Sequence, residues 1–144
     1  MKHIFHKENL KNPTFLLLHG TGGDEKDLLS LAHFIQPEYN VLSVRGEVSE
    51  NGMNRFFKRL SEGVFDEVDL VYRTHQLKEF VDQSAIDYGF DRNNVIALGY
   101  SNGANIAASM LFHYSDALSK AILLHPMVPI RKELPDLSGV PIFI

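Results

Sequence analysis

The residues of this chain best suited to chemistry are Gly99-Tyr100-Ser101-Asn102-Gly103. Glycine, any residue, serine, any residue, glycine is the pattern of a nucleophilic serine on a sharp turn between a strand and a helix. The spacing has a steric reason. The residues two before and two after the serine crowd the turn and must be small, and the hydroxyl then projects from the carboxyl edge of a sheet. The helix that follows aims its N-terminus at developing negative charge. At ordinary glycine usage of about 7%, three such fixed positions arise by chance in only a few per cent of chains this long. The alternative is a glycine-rich turn whose serine merely caps a helix. The context favours the nucleophile: the apolar run Val95-Ile96-Ala97-Leu98 precedes the motif, and a helix with Ala104, Ala107 and Ala108 follows it.

Attack by a serine on a carbonyl carbon builds charge on the carbonyl oxygen, which two backbone N–H donors must meet. The amide of Asn102, directly after Ser101, is one candidate. The other should come from a loop after an earlier parallel strand, and Leu18-His19-Gly20-Thr21-Gly22-Gly23 supplies such a loop, with the amide of Thr21 as candidate. A phosphate-binding reading of this loop fails on spacing: a dinucleotide fingerprint needs glycine where Glu25 stands, and no Gly-Lys-Ser/Thr follows. His19 is expected to brace the loop by hydrogen bonding, at the rim of the pocket, rather than to act as a base.

These two motifs need a scaffold, and the rest of the chain supplies one. Phe15-Leu16-Leu17-Leu18 reads as a strand buried on both faces. Leu28, Leu31, Ala32 and Ile35 mark an amphipathic helix, with Asp24, Glu25 and Asp27 placed as first-turn acids and Pro37 beyond its end. Residues 39–44 form a second strand, 70–88 a helix stopped by Gly89, 95–98 a third strand, 104–112 a helix, 121–124 a fourth strand and 140–144 a fifth. Strands alternating with helices imply a mostly parallel sheet covered on both faces, in one α/β domain spanning residues 1–144. The polar segment 45–69 is too long for an ordinary connection, and loops of that length are more often functional than idle.

Composition narrows the classes. The chain has 144 residues, 44% hydrophobic and 22% charged, which excludes disordered and fibrous types. Fourteen Lys and Arg against eighteen Asp and Glu leave a net charge of -4 without a basic cluster, so no nucleic-acid partner is expected. There is no cysteine, hence no disulfide, thiolate zinc site or cysteine nucleophile. No His-x-x-x-His or comparable spacing suggests a metal site. No apolar stretch approaches the roughly 20 residues of a membrane span, and the N-terminus lacks a signal-peptide core. The expectation is a cytoplasmic domain with no membrane partner.

With these motifs in place the chain resembles the phospholipase/carboxylesterase family of α/β-hydrolases. The resemblance rests on His19-Gly20-Thr21-Gly22-Gly23, Gly99-Tyr100-Ser101-Asn102-Gly103, Arg55-Phe56-Phe57, Glu62-Gly63-Val64-Phe65-Asp66 and Leu124-His125-Pro126-Met127-Val128-Pro129. It implies an α/β-hydrolase fold and a serine esterase that cleaves small carboxylic esters without any cofactor; a thioesterase or lysophospholipase is the alternative within the hydrolases. It also implies that segment 45–69 helps to wall the substrate pocket, and it admits a homodimer. Phe56, Phe57 and Phe65 of that segment would suit a small apolar or aromatic acyl or alcohol group, while Arg55 is expected to be a solvated or structural arginine, with binding of a carboxylate or phosphate as the alternative.

A catalytic serine needs an imidazole to take its proton and a carboxylate to orient that imidazole, in the chain order Ser, acid, His for this fold. Ser101, Asp116 and His125 satisfy the order but not the geometry, because Asp116 precedes its strand and lies toward the amino edge of the sheet. Asp136 has the same problem. His113 ends the helix that begins at Ser101, roughly 18 Å away at 1.5 Å per residue. His125 follows its strand on the carboxyl edge, where pocket lining and a structural role in the turn with Pro126 are both open. By the resemblance, the acid and the histidine lie beyond Ile144. The apolar segment 140–144 stops without a cap or polar tail, so these residues are expected to be the N-terminal portion of a longer hydrolase. The rival expectation is a module without catalysis that binds a small ligand or a partner.

Overall fold

A computed structural model describes all 144 residues. The central sheet has six strands, in the spatial order His3–His6, Asn40–Val44, Thr14–Leu18, Val95–Tyr100, Lys120–Leu124 and Ile142–Phe143. Strand β1 (His3–His6) runs antiparallel to β3 (Asn40–Val44), and β2 (Thr14–Leu18), β8 (Val95–Tyr100), β9 (Lys120–Leu124) and β10 (Ile142–Phe143) continue in parallel. Helices α1 (Leu29–Ile35), α2 (Glu67–Tyr88) and α3 (Asn102–His113) cover the faces. None of them is long and apolar enough to cross a membrane.

The strands are apolar throughout because both faces are covered, and their alternation sorts the core into two parts. Leu16, Leu18, Leu42, Val44, Val95, Ala97, Ala121 and Leu123 join the large core beneath α2 and α3. Phe15, Leu17, Val41, Ile96 and Leu98 point the other way, into a smaller core that includes Ala32 of α1. Helix α2 starts where Asp66 accepts a hydrogen bond from the Asp69 amide at 3.1 Å, and it ends where Gly89 takes a left-handed conformation at φ 82°.

Four features differ from the sequence expectation. Strand β1 was not expected; His3-Ile4-Phe5-His6 is short and sits at an edge, so its pattern is not that of a doubly buried strand. Segment 45–69 is not a loop but two hairpins, β4 (Val48–Glu50) with β5 (Met53–Arg55) and β6 (Arg59–Ser61) with β7 (Val64–Phe65). Glu25 is not a first-turn acid: α1 has none, and Glu25 is buried in a two-pronged pair with Arg45 at 2.6 and 2.9 Å. The guanidinium holds that carboxyl below its usual range. The fifth strand is only two residues long, and at a sheet edge with one neighbour its Ile142 and Phe143 side chains are exposed rather than buried.

Candidate active site

Ser101 stands between β8 and α3 with φ 52° and ψ −109°, a conformation that side chains with a Cβ seldom adopt. Its amide donates to the Leu124 carbonyl at 2.8 Å, tying the turn to β9. The flanking glycines are required by contact. A Cβ on Gly99 would lie 2.7 Å from the Ala104 nitrogen and the Gly103 carbonyl oxygen. A Cβ on Gly103 would lie 2.6 Å from the His19 carbonyl oxygen and overlap the carbonyl of Leu18. The start of α3 thus presses directly against the end of β2, and the two candidate oxyanion segments meet there.

Ser101 occupies the N-cap position, yet its hydroxyl makes no capping bond. A serine kept for capping would spend its oxygen on an amide one turn ahead. Here the oxygen is free, while the amide of Asn102 opens the helix. The loop after β2 is equally selective. The Gly22 amide donates to the Asn54 carbonyl and the Gly23 amide to the Gly20 carbonyl, both at 3.0 Å, whereas the Thr21 amide has no partner.

His19 is buried and uses both ring nitrogens. Gly46 donates its amide to Nε2 at 3.0 Å, so Nε2 is the acceptor, and Nδ1 lies 2.7 Å from the Gly20 carbonyl to which it donates. Burial lowers its pKa, which keeps the ring neutral. In this arrangement His19 fixes the loop and has no lone pair to offer a substrate.

The hairpin β4–β5 holds the same loop from outside. Asn54 accepts from Gly22 through its backbone and donates its side-chain amide to the Gly23 carbonyl at 2.9 Å. Arg55 donates Nη1 to the Thr21 hydroxyl at 2.6 Å. Helix α3 completes the arrangement with two buried asparagines. Asn102 Oδ1 accepts from the Phe56 amide and Asn105 Oδ1 from the Met127 amide, each at 2.7 Å. The walls on either side of the serine are therefore bonded to the helix that carries it. Sequence reasoning missed Asn54, Asn105 and the side-chain role of Asn102, because an asparagine in a polar stretch looks the same whether solvated or buried.

The other expected residues divide. Arg55, Phe56 and Phe57 turn inward; Phe57 is fully enclosed and meets Phe65 edge-on at 5.1 Å between ring centres. Their contacts hold the segment onto the core instead of facing an open pocket. Exposed residues near the loops include Met53, whose sulfur would lie 3.7 Å from a Cβ on Gly22, Tyr100 beside the serine, and Met127 after β9. His125 is exposed on the carboxyl edge with φ 53°, its ring 5.6 Å from that of Tyr100, and it makes no hydrogen bond to Ser101. Asp116 and Asp136 form no bond with any histidine. The chain thus brings together Ser101, Asn102, Thr21 and His19, and no acid–histidine pair joins them.

No family model matches the chain. Relatives do. It is 66% identical over 145 residues to the protein named "Putative hydrolase MhqD" of Bacillus subtilis (strain 168), covering 100% of this chain and 72% of that one. The chain belongs to the phospholipase/carboxylesterase family of α/β-hydrolases. Within this family, the crystal structure of the Bacillus cereus carboxylesterase superposes with a TM-score of 0.96 at 60% identity, covering 99% of this chain and 68% of that one. The structure of YahD with malic acid follows at a TM-score of 0.88 and 35% identity, over 93% of this chain and 68% of its own length. The sheet order and helix placement described above are thus the portion of an α/β-hydrolase fold that carries the serine turn.

Proposed function

We propose that this protein is a carboxylesterase that works through an acyl-enzyme on Ser101. The observation that carries the reading is the uncapped hydroxyl of Ser101 at a strained turn, with an unbonded amide in the facing loop. The carboxylesterase from Bacillus cereus, 60% identical, supports the class of reaction. The hydroxyl attacks the ester carbonyl carbon and gives its proton to an imidazole; the carbonyl oxygen becomes an oxyanion received by the amides of Thr21 and Asn102. Collapse of the tetrahedral intermediate breaks the ester bond, and the imidazole protonates the departing alcohol. Water then adds to the acyl group by the same route and frees the acid. We place the imidazole and its orienting carboxylate C-terminal to Ile144, since none of the seven histidines in these residues bonds to the serine. The substrate is a small ester; the malic acid held by YahD, 35% identical, agrees with a polar acid of that size.

The test is labelling of the full-length protein with a fluorophosphonate, followed by peptide mass mapping and p-nitrophenyl acetate hydrolysis. Modification on Ser101, with loss of both labelling and turnover in Ser101→Ala, is the expected result. Turnover that survives Ser101→Ala would refute the assignment. A matched panel of oxygen esters and thioesters then separates esterase from thioesterase.

A further inference from the structure

Arg55 is the charged side chain beside the serine turn whose placement the proposed reaction leaves unexplained. It is only 2% exposed, and a buried guanidinium is costly unless fully paired. The pairing is incomplete. Nη1 donates to the Thr21 hydroxyl at 2.6 Å and Nε to the Phe57 carbonyl at 3.0 Å, while Nη2 has no partner. The nearest carboxylate, Glu50, lies 3.6 Å from Nε, but both its oxygens are taken by Arg59 at 2.7 to 3.0 Å. Two guanidinium groups share one carboxylate at close range; the further acid acting on the cluster, Glu62 beside Arg59, is exposed. The face of Phe57, its centre 5.4 Å from the guanidinium carbon, gives Arg55 a cation–π contact where a carboxylate of its own is missing. Of the acids in the neighbouring turn, Glu25 is committed to Arg45, Asp24 accepts from the Lys26 amide at 2.8 Å, and Asp27 sets a carboxylate oxygen over Gly23.

Resting on the serine-esterase reading above, we infer that Arg55 is a positioning residue: through the Thr21 hydroxyl it orients the Thr21 amide toward the oxyanion. The loop is otherwise fixed on both sides of this amide, by His19 before it and by the Gly22–Asn54 bond after it. The Thr21 side chain is the remaining handle on that residue, and Arg55 holds it. A preorganised donor is worth more than a mobile one because no reorientation accompanies the reaction. Direct capture of a substrate carboxylate by Arg55 is less favoured, since Nη2 is enclosed by protein atoms.

The experiment compares Arg55→Met, Arg55→Lys, Thr21→Val and the Met/Val double variant in the full-length protein. Neutral p-nitrophenyl acetate and anionic p-nitrophenyl hemisuccinate serve as substrates, and fluorophosphonate titration counts reactive serine. Arg55→Met should lower kcat on the neutral ester by about 100-fold, the size of losing one oxyanion donor, with KM little changed. The double variant should fall no further than the worse single one, because both break the same link. Arg55→Lys should recover part of kcat by restoring one donor. Unchanged kcat in Arg55→Met, or single effects that simply multiply in the double variant, would overturn the inference. A KM increase confined to the hemisuccinate would also overturn it and make Arg55 an anion subsite. Should Arg55→Met fail to fold, Thr21→Val and Arg55→Lys carry the comparison, with kcat read per titrated serine. Wild-type protein that the fluorophosphonate does not label at Ser101 would sink the esterase reading and this inference with it, whereas normal labelling with an indifferent Arg55 would sink the inference alone.

Discussion

Replacing Ser101 by alanine and by glycine separates the backbone strain of the turn from its chemistry. Both variants lack the hydroxyl and are inactive under the proposed mechanism, so they differ only in a Cβ. At φ 52° and ψ −109° that Cβ is held in a sparsely populated region, a strain of about 1–3 kcal/mol. Glycine relieves the strain but gains freedom in the unfolded chain, which offsets about 0.4–1 kcal/mol. The Ser101 side chain forms no capping bond, so alanine loses little else. Ser101→Gly should therefore exceed Ser101→Ala in stability by about 1 kcal/mol, a shift of roughly 2–4 °C in Tm for a domain of this size. Urea unfolding at fixed protein concentration, followed by far-UV circular dichroism, measures the difference. A glycine variant no more stable than the alanine variant would refute the claim that strain is stored at this residue.

Gly103→Ala drives a Cβ into the Leu18 and His19 carbonyls, and overpacking against backbone should destabilise the fold by about 3 kcal/mol or prevent folding; thermal melts decide between these and a tolerated change. Asn105→Ala leaves the Met127 amide without its acceptor and should lower stability by about 1–3 kcal/mol, with faster hydrogen exchange at Met127 as the local readout. His19 has a pKa lowered by burial, so between that depressed value and its usual 6.5 the unfolded chain binds the extra proton; stability should fall as pH drops below about 6.5, and His19→Asn or His19→Gln should flatten that slope in urea melts at pH 5.5 to 7.5. Glu25 is depressed by its hydrogen bonds from Arg45, so its contribution is present above its usual 4.5 and is lost as pH falls further, a second and more acidic loss that Glu25→Gln should remove.

The elements that position the serine were readable because their signals are local and apolar. Phe15-Leu16-Leu17-Leu18 and Val95-Ile96-Ala97-Leu98 are uninterrupted runs, and Gly99, Gly103 and Ala104 announce a close approach of helix to sheet by their size alone. The β4–β5 and β6–β7 hairpins were not readable, since strands of two or three residues show no period. Nor was the inward turn of Arg55, Phe56 and Phe57: an arginine beside two phenylalanines fits a substrate wall as well as it fits a buried anchor, and only the partners distinguish them. The acidic run Asp24, Glu25 and Asp27 misled for a related reason. A carboxylate near a helix start suits the dipole, but Arg45, twenty residues away, offered Glu25 a better partner.

The sheet order has a consequence for how the site comes into being. Strand β2 pairs on one side with β3 and on the other with β8, so Thr14 waits for Val95 to be made before its second ladder can close. The serine turn waits longer still, because the Ser101 amide finds its acceptor only when Leu124 on β9 is in place. The geometry of the reactive residue is therefore held by the sheet as well as by its own turn, since the Ser101 amide is tied to β9, a strand that begins at Lys120.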